Sequence, residues 1–205
     1  MVRFCGLLAL VLLCQIANSA ERRYEHPEIT KLSEDEAKVL VRNATLQFNH
    51  DPIDLPNLRQ LDAKVAKVLA QNTERLSLNK ISRLQHGVSE SLKLFRGNSL
   101  ELHGLKVLSV SDALNLADGD CNNLSIGVAR LGVKQVSALA NHDGFSISFP
   151  NVRTLSNECA KELADYRCQQ IYFDDISSSD KETLAILKAN PKVKFVAGLH
   201  DATKP

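Results

Sequence analysis

Apolar and polar positions change their spacing twice between residues 147 and 167. Ile147 and Phe149 flank Ser148, the two-residue alternation of a strand with one buried face. Val152 and Leu155 follow. Cys159, Ala160, Leu163 and Ala164 then fall four, five, eight and nine positions past Leu155, which sets them on one face of a helix. Ser156 stands at the start of that helix, where its hydroxyl can accept from a free amide of the first turn. The stretch predicts a strand, a turn and a helix.

The same skeleton recurs when counted from Leu32, Leu61, Leu84, Leu108, Leu131, Leu155 and, in a degenerate copy, Ser179. Successive separations are 29, 23, 24, 23, 24 and 24 residues. Three positions before each anchor stands a branched aliphatic: Ile29, Leu58, Ile81, Leu105, Val128, Val152 and Ile176. Eight positions after each stands a leucine: Leu40, Leu69, Leu92, Leu116, Leu139, Leu163 and Leu187. One such unit cannot bury its own apolar stripe, but stacked on a neighbour it does, so the period implies a solenoid with strands side by side. Strand, helix and strand in succession also demand parallel pairing. The inward strand pairs are predicted at Leu46/Phe48, Leu76/Leu78, Leu100/Leu102, Leu124/Ile126, Ile147/Phe149, Ile171/Phe173 and Val193/Phe195.

On these residues the chain resembles leucine-rich-repeat proteins over about residues 29–199, especially short bacterial secreted forms with a strand and a helix per repeat. The likeness implies an α/β solenoid of about seven repeats, with a parallel β-sheet on one face and helices on the other. One departure stands out. The family carries Asn three residues after the second inward leucine; Ile81, Leu105, Val152 and Ile176 occupy that slot here. The turns must therefore satisfy their backbone with other groups.

The ends and interruptions of the pattern predict the remaining organisation. Residues 1–20 combine Arg3, a mostly apolar run over 4–16 and the small-residue run Ala17, Asn18, Ser19, Ala20, which reads as a signal peptide cleaved after Ser19 or Ala20. The apolar run is too short for a transmembrane helix, which needs about 20 residues. Lipidation at Cys14 would want a small residue before it, and Leu13 stands there. Residues 21–28 form a charged lead-in, and residues 200–205 a tail. Ser33 and Glu36 predict a capping box for a first helix ending near Asn43. Residues 49–57, with two prolines, explain the long first spacing and predict an exposed rim loop. Gly97, Gly119 and Gly144 fall in helix-to-strand returns, where a positive backbone angle is expected. The copy counted from Leu131 lacks one residue between Ile126 and Val128, so a local bulge or shift is expected there.

Composition narrows the chemistry. A chain of 205 residues, 44% hydrophobic, suffices for one domain, and a net charge of +1 gives no basis for strong attraction to nucleic acid or anionic lipid. Cys121, Cys159 and Cys168 are expected to be unpaired structural thiols. His50-Asp51, His142-Asp143 and His200-Asp201 lie in different parts of the pattern and are not expected to converge on a metal or a hydrolytic site. No Cys-x-x-Cys, His-Glu-x-x-His, glycine-rich phosphate loop or Gly-x-Ser-x-Gly elbow is present, so no catalytic residue, metal or cofactor is assigned. Asn43 and Asn123 head glycosylation acceptor triplets.

The surface expected to carry function is the outward row of the sheet. Ser77, Glu101, Ser125, Ser148 and Tyr172 lie between inward pairs, with Lys194 after them; Arg75, Asn79, Ser99, His103, Asn123, Ser146, Gln170 and Asp174 flank that row. The reading is a non-enzymatic exported interaction module that binds a protein or glycan partner on this face. Two other classes fit the chain: a structural cell-envelope repeat protein without a discrete ligand, and a hydrolase with a site near residues 49–57.

Overall fold

The computed structural model describes residues 26–46, 52–72, 74–176 and 179–196. The expected signal peptide, most of the lead-in, the tail, His50-Asp51 and His200-Asp201 lie outside them. Seven strands and seven α-helices alternate among the described residues. They are α1 (Glu34–Leu46), β1 (Ile53–Asp54), α2 (Ala63–Leu69), β2 (Arg75–Ser77), α3 (Val88–Leu92), β3 (Ser99–Leu102) and α4 (Val110–Ala117). There follow β4 (Asn123–Ile126), α5 (Val133–Leu139), β5 (Ser146–Phe149), α6 (Asn157–Glu162), β6 (Gln170–Phe173), α7 (Lys181–Ala189) and β7 (Val193–Phe195), with a 3-10 turn over Leu163–Asp165 after α6.

The strands form one parallel sheet in the order β1 to β7, each paired with its neighbours in sequence. The register sets Ile53, Leu76, Leu100, Leu124, Ile147, Ile171 and Val193 in one column across it. Helices pack in the same order, each on the next. Leu69, Leu92, Leu116, Leu139, Leu163 and Leu187 close the helix side of the core, all essentially inaccessible to solvent. Burying each leucine contributes about 2 kcal/mol, and no single turn supplies both walls of the space it fills. Towards β7 the core takes larger rings: Phe149 and Phe173 stack with centroids 5.5 Å apart.

Local chemistry starts most helices. Asp62, Ser109, Ser156 and Asp180 each accept a hydrogen bond from the amide three residues on. Ser33 and Glu36 make the reciprocal capping box, with the Ser33 amide 2.8 Å from the Glu36 carboxylate. Helix α1 runs past Asn43 to Leu46.

Three expectations need correction. The first strand is not at Leu46/Phe48: Leu46 ends α1 and Phe48 lies outside the described residues, while β1 is Ile53–Asp54. Consequently residues 52–57 are not a rim loop, because Ile53 and Leu55 are fully buried in the core. Pro52 and Pro56 flank β1, and the outermost strand of a sheet tolerates missing amide donors there. Positive backbone angles are not what the return glycines supply: among the described glycines only Gly87, at φ 77°, is left-handed. At Gly97 and Gly144 the reason is close approach, since an added Cβ would lie 2.6 Å from Glu74 O and 2.4 Å from Cys121 O. The residue missing after Ile126 is absorbed, as expected, by a local shift. Pairing between β4 and β5 stops at Ser125 with Ser148, and Gly127 comes so near β3 that a Cβ would sit 1.7 Å from His103 O.

Candidate functional site

The outward residues of the sheet hold one another in place. Just past β2, Asn79 Nδ2 donates to Ser77 Oγ at 2.7 Å, and Asn79 Oδ1 accepts from the His103 amide at 3.0 Å. His103 Nε2 lies 2.7 Å from Ser125 Oγ, which also accepts from Ser148 Oγ at 2.7 Å. A continuous polar chain thus runs from β2 to β5. Beside it, Ser146 Oγ donates to Asn123 Oδ1 at 2.7 Å, and Asn123 Nδ2 reaches back to Asn98 O at 3.1 Å. On β6 the Tyr172 hydroxyl bonds to the Gln170 side chain. Arg75 lies between two carboxylates, 3.9 Å from Asp54 and 3.9 Å from Glu101.

Eleven of the fourteen outward residues assigned from the sequence therefore join clusters: Arg75, Ser77, Asn79, Glu101, His103, Asn123, Ser125, Ser146, Ser148, Gln170 and Tyr172. Ser99 keeps its place in register between Arg75 and Asn123. Asp174 follows β6 and is half-buried, with no side-chain bond among the described residues. Ser77 is fully buried, most of the others are half-buried, and Arg75 and Lys194 are exposed. The face is a shallow, ordered, hydroxyl- and amide-rich platform with charges near both ends.

Two contributors escaped the sequence reading. Asp54 was assigned to a loop, yet it pairs in register with Ser77 and belongs to the outward row. A signal for it existed, because Ile53 and Leu55 stand eight and six residues before Leu61, as the skeleton requires. Asn151 is the second. Its amide donates to Gly127 O at 2.8 Å and to His103 O at 3.1 Å, closing the turns below β3 and β4. Asn57 does the same at the other end, reaching Pro27 O at 2.8 Å. These amides stand one residue earlier than the family's asparagine.

The other candidate chemistry is dispersed. Cys121, Cys159 and Cys168 are buried and unpaired, and burial pushes the Cys121 thiol up to about 12 and Cys168 upward too. His142 is completely enclosed at the return before β5, with Nε2 3.2 Å from Ser146 O and, among the described residues, no partner at Nδ1; burial lowers its pKa. Asp143 instead lines an outer cleft of about 360 Å³ with Asp118, Asp120 and Arg167, where Lys93 pairs with Asp118 and Arg96 with Asp120. Among the described residues no three acidic, histidine or cysteine side chains gather as metal ligands, and no helix is long and apolar enough to cross a membrane. Compared with known proteins, the chain matches no family model and no curated protein sequence.

Proposed function

We propose that the chain is a leucine-rich-repeat-like solenoid that works as a non-enzymatic interaction module, exported by the signal peptide at residues 1–20, and that it binds its partner on the parallel-sheet face. The observation that carries this reading is the polar chain Asn79, His103, Ser125 and Ser148. Side chains already held by their own bonds lose little entropy when a partner covers them, so an otherwise small-residue surface is pre-organised for docking. Of the two ligand classes the face suits, protein and glycan, the ionic residues at its ends favour protein. Asp54, Arg75 and Glu101 lie over β1 to β3, and Lys194 lies over β7.

The test is capture of a partner from the native envelope fraction by immobilised wild-type chain, compared with Tyr172→Ala and Ser125→Arg. Loss of the same partner in both variants, with unchanged denaturation midpoints, supports the face. Capture that persists in both overturns it. A captured species that is a polysaccharide, or further copies of the chain itself, replaces the protein reading with a glycan-binding or structural one.

A further inference from the structure

His142, at the return between α5 and β5, has no exposed surface. Its Nε2 lies 3.2 Å from Ser146 O, and because a carbonyl only accepts, Nε2 carries the hydrogen. Nδ1 is then a bare lone pair, enclosed and without a partner among the described residues. Gly144 makes room for the ring, since a Cβ there would come 2.7 Å from Nε2. The bond reaches the sheet face through one residue. Ser146 Oγ donates to Asn123 Oδ1 at 2.7 Å, and the carbonyl before it, Phe145 O, accepts from the Gln169 and Gln170 amides, both at 3.1 Å. The ring thus props the entry of β5, on which Asn123 and Gln170 depend.

We propose that His142 is an acid-released latch for the docking face: taking up a proton drives its ring out of the enclosure and frees Asn123, Ser146 and Gln170, so that a bound partner is let go. The proposal rests on the docking reading above and adds its regulation. A charged ring would hold a buried Nδ1–H with no acceptor, which costs more than a lost hydrogen bond. Neighbouring elements do not relieve it. Asp143, next in the chain, lines the outer cleft with Asp118, Asp120 and Arg167, and burial outweighs its attraction for the proton. Cys121 lies in the turn before. In the turn after, Tyr166 takes the equivalent place, eleven residues past Leu155, and the Cys168 thiol meets the Ile147 amide. Burial raises the pKa of all three, so they stay neutral where histidine titrates. On α5 itself the one ionisable residue, Lys134, stands in the first turn, at the far end. Burial therefore keeps the ring neutral at pH 7, and release belongs below the ordinary histidine value of 6.5.

The experiment lowers the pH of the isotope-labelled full chain from 7.5 to 5.0 and follows imidazole nitrogens, side-chain amides and backbone amides by NMR. The Asn123 side-chain amide and the backbone amides of residues 146 and 170 should move with the midpoint of the His142 ring. In His142→Gln, whose amide can still donate to Ser146 O but does not titrate, they should stay in place. Asp143→Asn should lower the midpoint, because a negative charge that favours the proton is gone. Capture by immobilised chain from the native envelope fraction should fall at least about fivefold between pH 7.5 and 5.0 in wild type and not in His142→Gln. Should His142→Gln not fold, the wild-type titration decides. A ring that stays neutral throughout, or titrates while residues 123, 146 and 170 stay still, overturns the latch. So do the loss of all amides together, changes confined to Ser125 and Ser148 (which would belong to His103), and a fall in capture that survives His142→Gln. The two readings fail separately. Amides that follow His142 with capture indifferent to Tyr172→Ala and Ser125→Arg leave the latch without the docking face. Capture that needs Tyr172 and Ser125 but ignores pH leaves the docking face without the latch.

Discussion

At the residue scale, Gly127 and Asn151 jointly hold His103. Asn151 donates to His103 O and Gly127 O, and Gly127 packs against His103 O so closely that no side chain fits. Asn151→Ala should cost about 1 kcal/mol, the net worth of a hydrogen bond plus one partly buried carbonyl left bare. Gly127→Ala should cost more, about 3 kcal/mol, because backbone and not a flexible tip is in the way. Urea denaturation measures both, and equal small effects would mean the turn relaxes freely. His142 gives a pH prediction with a definite sign. Its folded pKa lies below the unfolded value of 6.5, so the unfolded chain binds the proton first as pH falls. Its contribution is whole above that value and is lost as pH drops through 6.5 towards the folded pKa. Phe95 occupies the equivalent place, eleven residues past Leu84 as His142 is past Leu131. His142→Phe should therefore lose less stability between pH 7.5 and 5.5 than wild type. An identical loss would assign the dependence to other groups.

At the scale of elements, what the sequence made legible depended on how much each position is constrained by burial. Leucine at offset eight and a branched aliphatic at offset minus three face the core in turn after turn, so strands β2 to β7 and all the helices fall where the spacing puts them. Strand β1 was missed because two prolines look like a loop, and they are tolerated there only through its place at the sheet's edge. The outward row was legible as positions, since alternation dictates which side chains leave the core. Its bonding was not, because His103 finding Ser125, or Asn151 reaching two turns at once, depends on register and rotamer. Caps lie between these cases. Helix α5 has Gly132 at its N-cap in extended backbone and no side-chain cap bond, yet Gln135 stands three residues on. Gly132→Ser would complete a capping box, and an added Cβ meets only the flexible end of Gln135, at 2.8 Å. A gain of about 0.5 kcal/mol is expected by denaturation. A loss would show that Gln135 is committed to Leu108 O, 3.4 Å away.

At the scale of the whole molecule, order along the chain is also order in space. Strands β1 to β7 pair only in sequence, and each helix packs on the next in line. Stability in such an arrangement is close to a sum of turns and of contacts between adjacent turns, so an inner turn is supported from both sides and an outer one from a single side. Opening should therefore begin at the ends and travel inward. Backbone exchange with solvent reads this directly, because the ladder amides donate from one strand to the next: Leu78 N to Glu101 O at 2.9 Å, Ser146 N to Asn122 O at 3.0 Å and Ile171 N to Lys192 O at 2.8 Å. Amides of β3, β4 and β5 should exchange at least about tenfold more slowly than those of β1 and β7, with β2 and β6 between. The gradient bears on function as well, since Asp54, Arg75 and Glu101 lie over β1 to β3, at the end expected to open first, whereas His103, Ser125 and Ser148 lie towards the protected centre. Uniform protection from β1 to β7 would mean that the chain opens as one cooperative unit, and the turn-by-turn account of its stability would then fail.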